Sequence, residues 1–341
     1  MPHVVLALLF CAAPPPAVNA AKEARAVAVV EKARGRVVRA NSRPGKPVVA
    51  VFFTPHSSVT DAVAESLRDL PHLTTLVLRF ASITDKGAAH LSRLDRLRTL
   101  DLSDTRISDK GLAHLKDLAL LQQLQLRETQ IGDEGVEHLK GLKNLRILDL
   151  SLTKVTDKGI GHLTGLADLT YLGLEGVALT DDGAAKLASF PELRGLSLAK
   201  TKVTDKGLAG LEKAPNLTAL SLAGTAVTGK GLAALGKAKL VHLSLSGSTA
   251  DDEALKNLAG MTSLVKLELD NTKVTSAGME HLARLTNLRE LSLVDTAVGD
   301  EGLKHLGGCK SLRKLSAQFS KVTRAGADAL KKELPGVQIM R

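Results

Sequence analysis

Six of the ten histidines, His90, His114, His138, His162, His281 and His305, occupy one position of a recurring phrase, each just before a leucine. Imidazoles repeated at a fixed step could share a proton or a cation, the chemistry of a pH sensor or a metal ladder. A metal shell needs further ligands, and no acid or cysteine recurs beside these histidines. They read as one helix position copied by duplication. Cys309 falls in the slot held elsewhere by Leu94, Leu118, Leu142, Leu166, Phe190 and Leu285. That is a core slot, so the thiol reads as buried packing and not as a nucleophile. The pairs Asp181/Asp182 and Asp251/Asp252 stand at expected helix starts, where carboxylates cap backbone N–H groups. No phosphate-cradling glycine loop, hydrolase elbow or zinc motif is present. The expectation is a chain that is no enzyme and holds neither cofactor nor metal.

The elements that carry these residues are set by a repeat. Leucine pairs one residue apart recur at steps of 24, from Leu76/Leu78 through Leu220/Leu222. The series continues one residue early at Leu243/Leu245 and runs on to Leu315/Ala317, with Phe52/Thr54 preceding it. A fixed period of this length signals a solenoid. In the unit Leu97–Leu120, Leu97, Leu100 and Leu102 mark a strand. Thr105 and Ile107 form a turn that sends an apolar residue inward. Ser108 and Asp109 start a helix whose inward stripe is Leu112, Leu115 and Leu118. A recurring glycine, Gly111 in this unit and Ala254 once, reads as a close-packing position against the next coil. Ten of the twelve residues at the Thr105 position carry a hydroxyl, a column suited to satisfying turn backbone groups inside the coil.

One such unit buries too little to offset the entropy of ordering it, so the units must stack. Strands pack about 4.8 Å apart, whereas helices need about 10 Å. The stack therefore bends with its strands inside. The expected fold is α/β: a right-handed leucine-rich-repeat solenoid (horseshoe), with parallel strands on the concave face and short helices on the convex face. Its expected divisions are an export signal over 1–20, an N-terminal cap of helix plus strand over 21–47, and about twelve repeats over 48–341 ending in a shortened cap.

The export signal rests on the apolar run Val4–Ala13, which includes Cys11, and on a cut after Val18-Asn19-Ala20. The run is too short to span a bilayer, so the chain is expected to be exported (periplasmic, cell-surface or secreted) without a transmembrane segment. The net charge of +10 is uneven: between Ala21 and Pro47 stand eight basic and two acidic residues.

The phrases ITDKGAAHL (83–91), VTDKGIGHL (155–163) and VTDKGLAGL (203–211) resemble the leucine-rich repeats of the ribonuclease-inhibitor-like superfamily, close to the cysteine-containing subtype of F-box proteins. The chain looks most like bacterial leucine-rich-repeat proteins that open with GKPVVAV (45–51) and close with LKKELP (330–335). The subtype's cysteines are replaced by Leu and Thr, apart from Cys309, and no F-box is seen ahead of the repeats. The resemblance therefore implies a scaffold but no ubiquitin-ligase adaptor.

A partner is expected on the concave strands, around Arg79, Phe80, Asp101, Asp104, Arg127, Glu128, Asp149, Tyr171 and Glu175. This stretch concentrates outward charge and holds the single tyrosine, and aromatics are the usual anchors. Its acids outnumber its bases, so the partner is expected to be a protein or peptide of basic or mixed charge and not nucleic acid, bound by a monomer. Farther on, Gly195, Ser197, Ala199, Ala219, Ser221, Ala223, Ser244 and Ser246 make the face bland, which keeps open the alternative of a structural cell-envelope component.

Overall fold

The computed structural model describes residues 17–236 and 238–341. The apolar run Val4–Ala13, with Cys11, lies outside the described residues. The expected cut after Ala20 falls within a helix that spans Ala17–Lys32.

The described residues form one sheet of 14 strands whose spatial order is the order of the sequence. The first strand, Arg36–Arg39, pairs antiparallel with Val48–Phe52. From Val48–Phe52 to Gln338–Met340 each strand pairs parallel with the next, usually over three residues. The leucines stack in register, as Leu124 does between Leu100 and Leu148. Between strands run short helices of four to ten residues, such as Asp205–Leu208 and Arg324–Glu333. Some continue or are replaced by 3-10 turns, as at His138–Gly141 and Gly278–Arg284. Strands thus line the concave face and helices the convex one.

One continuous core runs the length of the stack, aliphatic as the scarcity of aromatics requires. Leu102, Ile107, Leu112 and Leu115 of a single coil are all fully buried. At the N-terminal end Ala26, Val27 and Val30 of the first helix cover the core, and at the C-terminal end Leu334 and Val337 do so. The hydroxyl column behaves as expected: Thr105 and Thr153 are buried and donate to the carbonyls of Leu102 and Leu150, each at 2.6 Å.

The helix starts differ from the sequence expectation. Thr156 caps its own helix by accepting from Lys158 N–H at 3.3 Å. The aspartate after the cap, expected to serve its own helix dipole, crosses to the next coil. Asp133 accepts the backbone N–H of Thr156 at 2.8 Å, the Thr156 hydroxyl at 2.6 Å and the N–H of Gly159 at 2.9 Å. Asp85, Asp157, Asp181, Asp205, Asp252 and Asp300 repeat the reach to Ser108, Thr180, Thr204, Thr228, Thr275 and Thr323. The recurring glycine is small because of the preceding coil, whose carboxylate it faces in every unit but that of Gly302, and not because of the next one.

The turn after each strand also differs. Phe80, Asp104, Glu128, Leu152, Lys200, Asn271, Asp295 and Phe319 all have positive φ, in the left-handed region. Gly176, Gly224 and Gly247 hold the same position with φ of 70°, 66° and 67°. The turn reverses the chain so that the next apolar residue, Ile107 after Asp104, re-enters the core.

Candidate binding face

The nine residues expected at the site divide between strands and turns. Asp101 and Asp149 end the strands Thr99–Asp101 and Ile147–Asp149, and Tyr171 opens Tyr171–Gly173. Arg79, Phe80, Asp104, Arg127, Glu128 and Glu175 lie instead in the turns beyond the strands. The cause is strand length. Only three residues of each coil are extended, and backbone pairing then continues into the turn, with Asp104 N–H donating to Arg127 O at 2.8 Å.

Their charges are also spent on one another. Arg79 donates to Asp104 at 3.0 Å, and its guanidinium lies 4.7 Å from the centroid of the Phe80 ring. Arg127 reaches across two coils to Glu175 at 2.9 Å, and Lys200 meets the other Glu175 oxygen at 2.8 Å. The hydrogen bonds from Arg127 and Lys200 hold the Glu175 carboxyl below its ordinary range, and Glu175 raises Arg127 in turn. Asp101 and Asp149 each accept the backbone N–H two residues on, from Ser103 and Ser151, at 2.9 Å. The face is therefore less acidic toward a partner than its composition suggests. The structure gathers Arg127, Asp149, Tyr171 and Glu175 around one place and leaves Arg79, Phe80 and Asp104 as a separate group.

Tyr171 marks the edge of a hollow that the sequence reading passed over. A concavity of about 290 Å³ is floored by Gly195, Ser197, Ala219, Ser221 and Ser244, with Tyr171 at one end and His242, Lys266 and Glu268 at the other. The small side chains dismissed as bland are what make the room. Tyr171 is 37% exposed, and its ring lies over Gly195, where a Cβ would stand 2.9 Å from Cδ2. Burial raises the tyrosine hydroxyl pKa, and the nearby Asp149 raises it further, so the phenol stays protonated and able to donate. At the far end Lys266 and Glu268 pair at 2.7 Å. Burial pushes the Glu268 carboxyl up, but hydrogen bonds from Lys266 and Ser244 outweigh it and leave it lowered. The legible signal would have been three successive coils lacking outward bulk.

Cys309 is fully buried, its thiol 3.3 Å from Leu282 O, and burial pushes its pKa up to about 11. Of the six repeated histidines, His114 and His305 are exposed and the other four half-buried. Among the described residues no group of three or more His, Cys, Asp or Glu is placed to hold a metal ion. Among the same residues no helix is long and apolar enough to cross a membrane.

Comparison with known proteins bears on the scaffold. Models described as leucine rich repeat match residues 71–131, and again 141–162, 213–236 and 284–307. No curated protein matches. Among solved structures, an internalin from Listeria monocytogenes is similar over 97% of this chain and 98% of its own, with a TM-score of 0.68 at 20% identity. A leucine-rich-repeat protein of Leptospira interrogans covers 83% of this chain and 88% of its own, with a TM-score of 0.47 at 16% identity. The matched repeats, joined by one sheet in unbroken sequence order, make this chain a leucine-rich-repeat solenoid.

Proposed function

We propose that the chain is a non-catalytic scaffold that recognises a protein or peptide through its concave face. The observation that carries this reading is the hollow between Tyr171 and the Lys266–Glu268 pair. It is floored by consecutive parallel strands whose backbones are fixed by pairing on both sides, so a partner meets a surface already in place. An aromatic anchor at one end and the paired charges of Lys266 and Glu268 at the other suit a partner segment of mixed character. The Gly, Ala and Ser stretch that suggested a passive wall component is the floor of this hollow. The repeats fit the cysteine-containing subtype of the ribonuclease-inhibitor-like superfamily through the three phrases noted above. We place the mature protein outside the cytoplasm, starting at Ala21; an intact Met1 in the native protein would refute that.

The test is capture by the immobilised protein from the exported fraction, compared with two variants. Ser221→Arg fills the hollow, and Lys116→Glu changes an exposed residue of the turn that follows the helix Asp109–Ala113, on the convex side. A partner held by wild type and by Lys116→Glu but lost with Ser221→Arg supports the reading. Equal capture by all three overturns it.

A further inference from the structure

The N-terminal cap carries a surface that the concave face does not use. Of its eight basic residues, Arg39 is paired with Glu23 at 2.7 Å. Among the described residues Lys22, Arg25, Lys32, Arg34, Arg36, Arg43 and Lys46 take part in no ion pair, and all seven are exposed. The only other acid of the cap is Glu31. The helix Ala17–Lys32 buries Ala26, Val27 and Val30 against the solenoid. Lys22, Arg25, Val29 and Lys32, spaced three, four and three residues apart, share an exposed stripe of that helix, and Glu31 stands off it. Val29 is 37% exposed, with exposed Ala21 and Ala28 beside it.

We propose that this stripe docks on the surface of an anionic phospholipid bilayer. Cations on one side of a helix, interleaved with small apolar residues, match a negatively charged interface with an apolar layer beneath it. A soluble polyanion would be served by the charge but would gain nothing from Val29, Ala21 and Ala28. Single-stranded nucleic acid would further favour stacking aromatics, and the stripe has none. Docking by the cap holds one end of the solenoid at the membrane and leaves the concave hollow free. The inference does not depend on what that hollow binds.

The experiment is co-sedimentation of the chain from Ala21, the mature form proposed above, with vesicles of phosphatidylcholine alone and of phosphatidylcholine mixed with phosphatidylglycerol. The expected result is partition onto the mixed vesicles only, reversed by salt. Lys22→Gln, Arg25→Gln and Lys32→Gln together should lower the partition about a hundredfold. Val29→Gln should weaken vesicle binding several-fold and leave binding to dextran sulfate unchanged. All four side chains are exposed, so the denaturation midpoint should not move, and that measurement confirms the variants are folded. Three results overturn the proposal: no binding to mixed vesicles; equal binding to neutral vesicles, or binding that survives the triple change; and Val29→Gln without effect while dextran sulfate binds as well as lipid.

Discussion

The carboxylate of Asp85 stands where a side chain on residue 111 would have to go. An ideal Cβ on Gly111 would lie 2.5 Å from Asp85 Oδ1, closer than real atoms approach. The same carboxylate accepts the N–H and the hydroxyl of Ser108, each at 2.7 Å, and so ties one coil to the next. The acid is missing in two coils: after Ser276 the side chains of Val298 and Met279 crowd Gly302 instead, 2.9 and 3.0 Å from where its Cβ would stand, whereas after Gly229 the restriction lifts. Gly229 takes the aspartate position, and the following coil carries Ala254 in place of glycine, with Asp251 capping its own helix at Ala254 N–H.

This pairing predicts a coupled pair of substitutions. Gly111→Ala should destabilise by about 1–3 kcal/mol through overpacking, although alanine is the better helix former. Asp85→Ala should cost about 1–3 kcal/mol by leaving the Ser108 N–H and hydroxyl without their partner. Together the two should cost less than their sum, because the first clash vanishes with the carboxylate. Ala254→Gly, with no carboxylate to accommodate, should cost only about 1 kcal/mol of helix propensity. Urea denaturation of the four variants measures this, and strict additivity would refute the pairing.

The aspartate ladder also predicts acid sensitivity. Hydrogen bonds from Thr323 lower the Asp300 carboxyl, and those from Thr204 and Gly207 lower Asp181 against the opposing effect of burial. A folded pKa below the unfolded one gives stability that is present above the unfolded value, about 4, and lost as pH falls through the folded value. The denaturation midpoint should therefore hold near neutrality and fall below about pH 4. Thr323→Val, which removes the hydroxyl donor to Asp300, should make that fall shallower. A midpoint that rises on acidification would contradict the sign.

How far these features were legible depends on where the information sits. Leucine at the Leu115 position and apolar residues at the Leu102 and Ile107 positions recur along the stack because each coil must fill the same interior, so period and fold could be read directly. The link between Asp85 and Gly111 joins neighbouring coils, and a period marks which residues recur without saying which of them touch. Its trace in the sequence is faint: the joint change at Gly229 and Ala254 reports it, but Ser276 replaces the acid while Gly302 stays. The hollow was harder still, because Gly195 and Ala219 contribute by the volume they leave empty. The positive-φ turn was partly legible, since Asp104, Gly176, Gly224, Gly247, Asn271 and Asp295 are types that favour a left-handed backbone, but Phe80, Glu128, Leu152 and Lys200 at the same position masked it.

That turn carries its own prediction. Leu152 holds φ at 57° and is 38% exposed, so its side chain gives little in return for the strained backbone. A left-handed non-glycine residue costs about 1–2 kcal/mol, partly offset by the greater unfolded-state entropy of glycine. Leu152→Gly should thus stabilise by about 0.5–1 kcal/mol. Gly176→Ala, one coil on, should destabilise, since φ there is 70° and Leu152 Cδ2 lies 2.6 Å from the new Cβ. Opposite shifts in thermal midpoint check both; a destabilised Leu152→Gly would show that the leucine contacts outweigh the strain.

The last prediction concerns Tyr171, where the expected site and the observed hollow overlap. Its ring is held over Gly195 on the neighbouring strand, so it is placed before any partner arrives. A rigid aromatic at the rim of a concave site commonly contributes about 2 kcal/mol to binding. Tyr171→Ala should therefore weaken a concave-face partner about thirtyfold. Gly195→Ala should weaken it too, because the added methyl displaces the ring. Arg79→Ala, in the separate Phe80–Asp104 group, should leave affinity nearly unchanged. Calorimetric titration of the captured partner against the three variants decides between the hollow and the earlier, N-terminal half of the expected site. If Arg79→Ala abolishes binding while Tyr171→Ala does not, the partner sits on the first coils, and the hollow between Tyr171 and Glu268 is not where it is recognised.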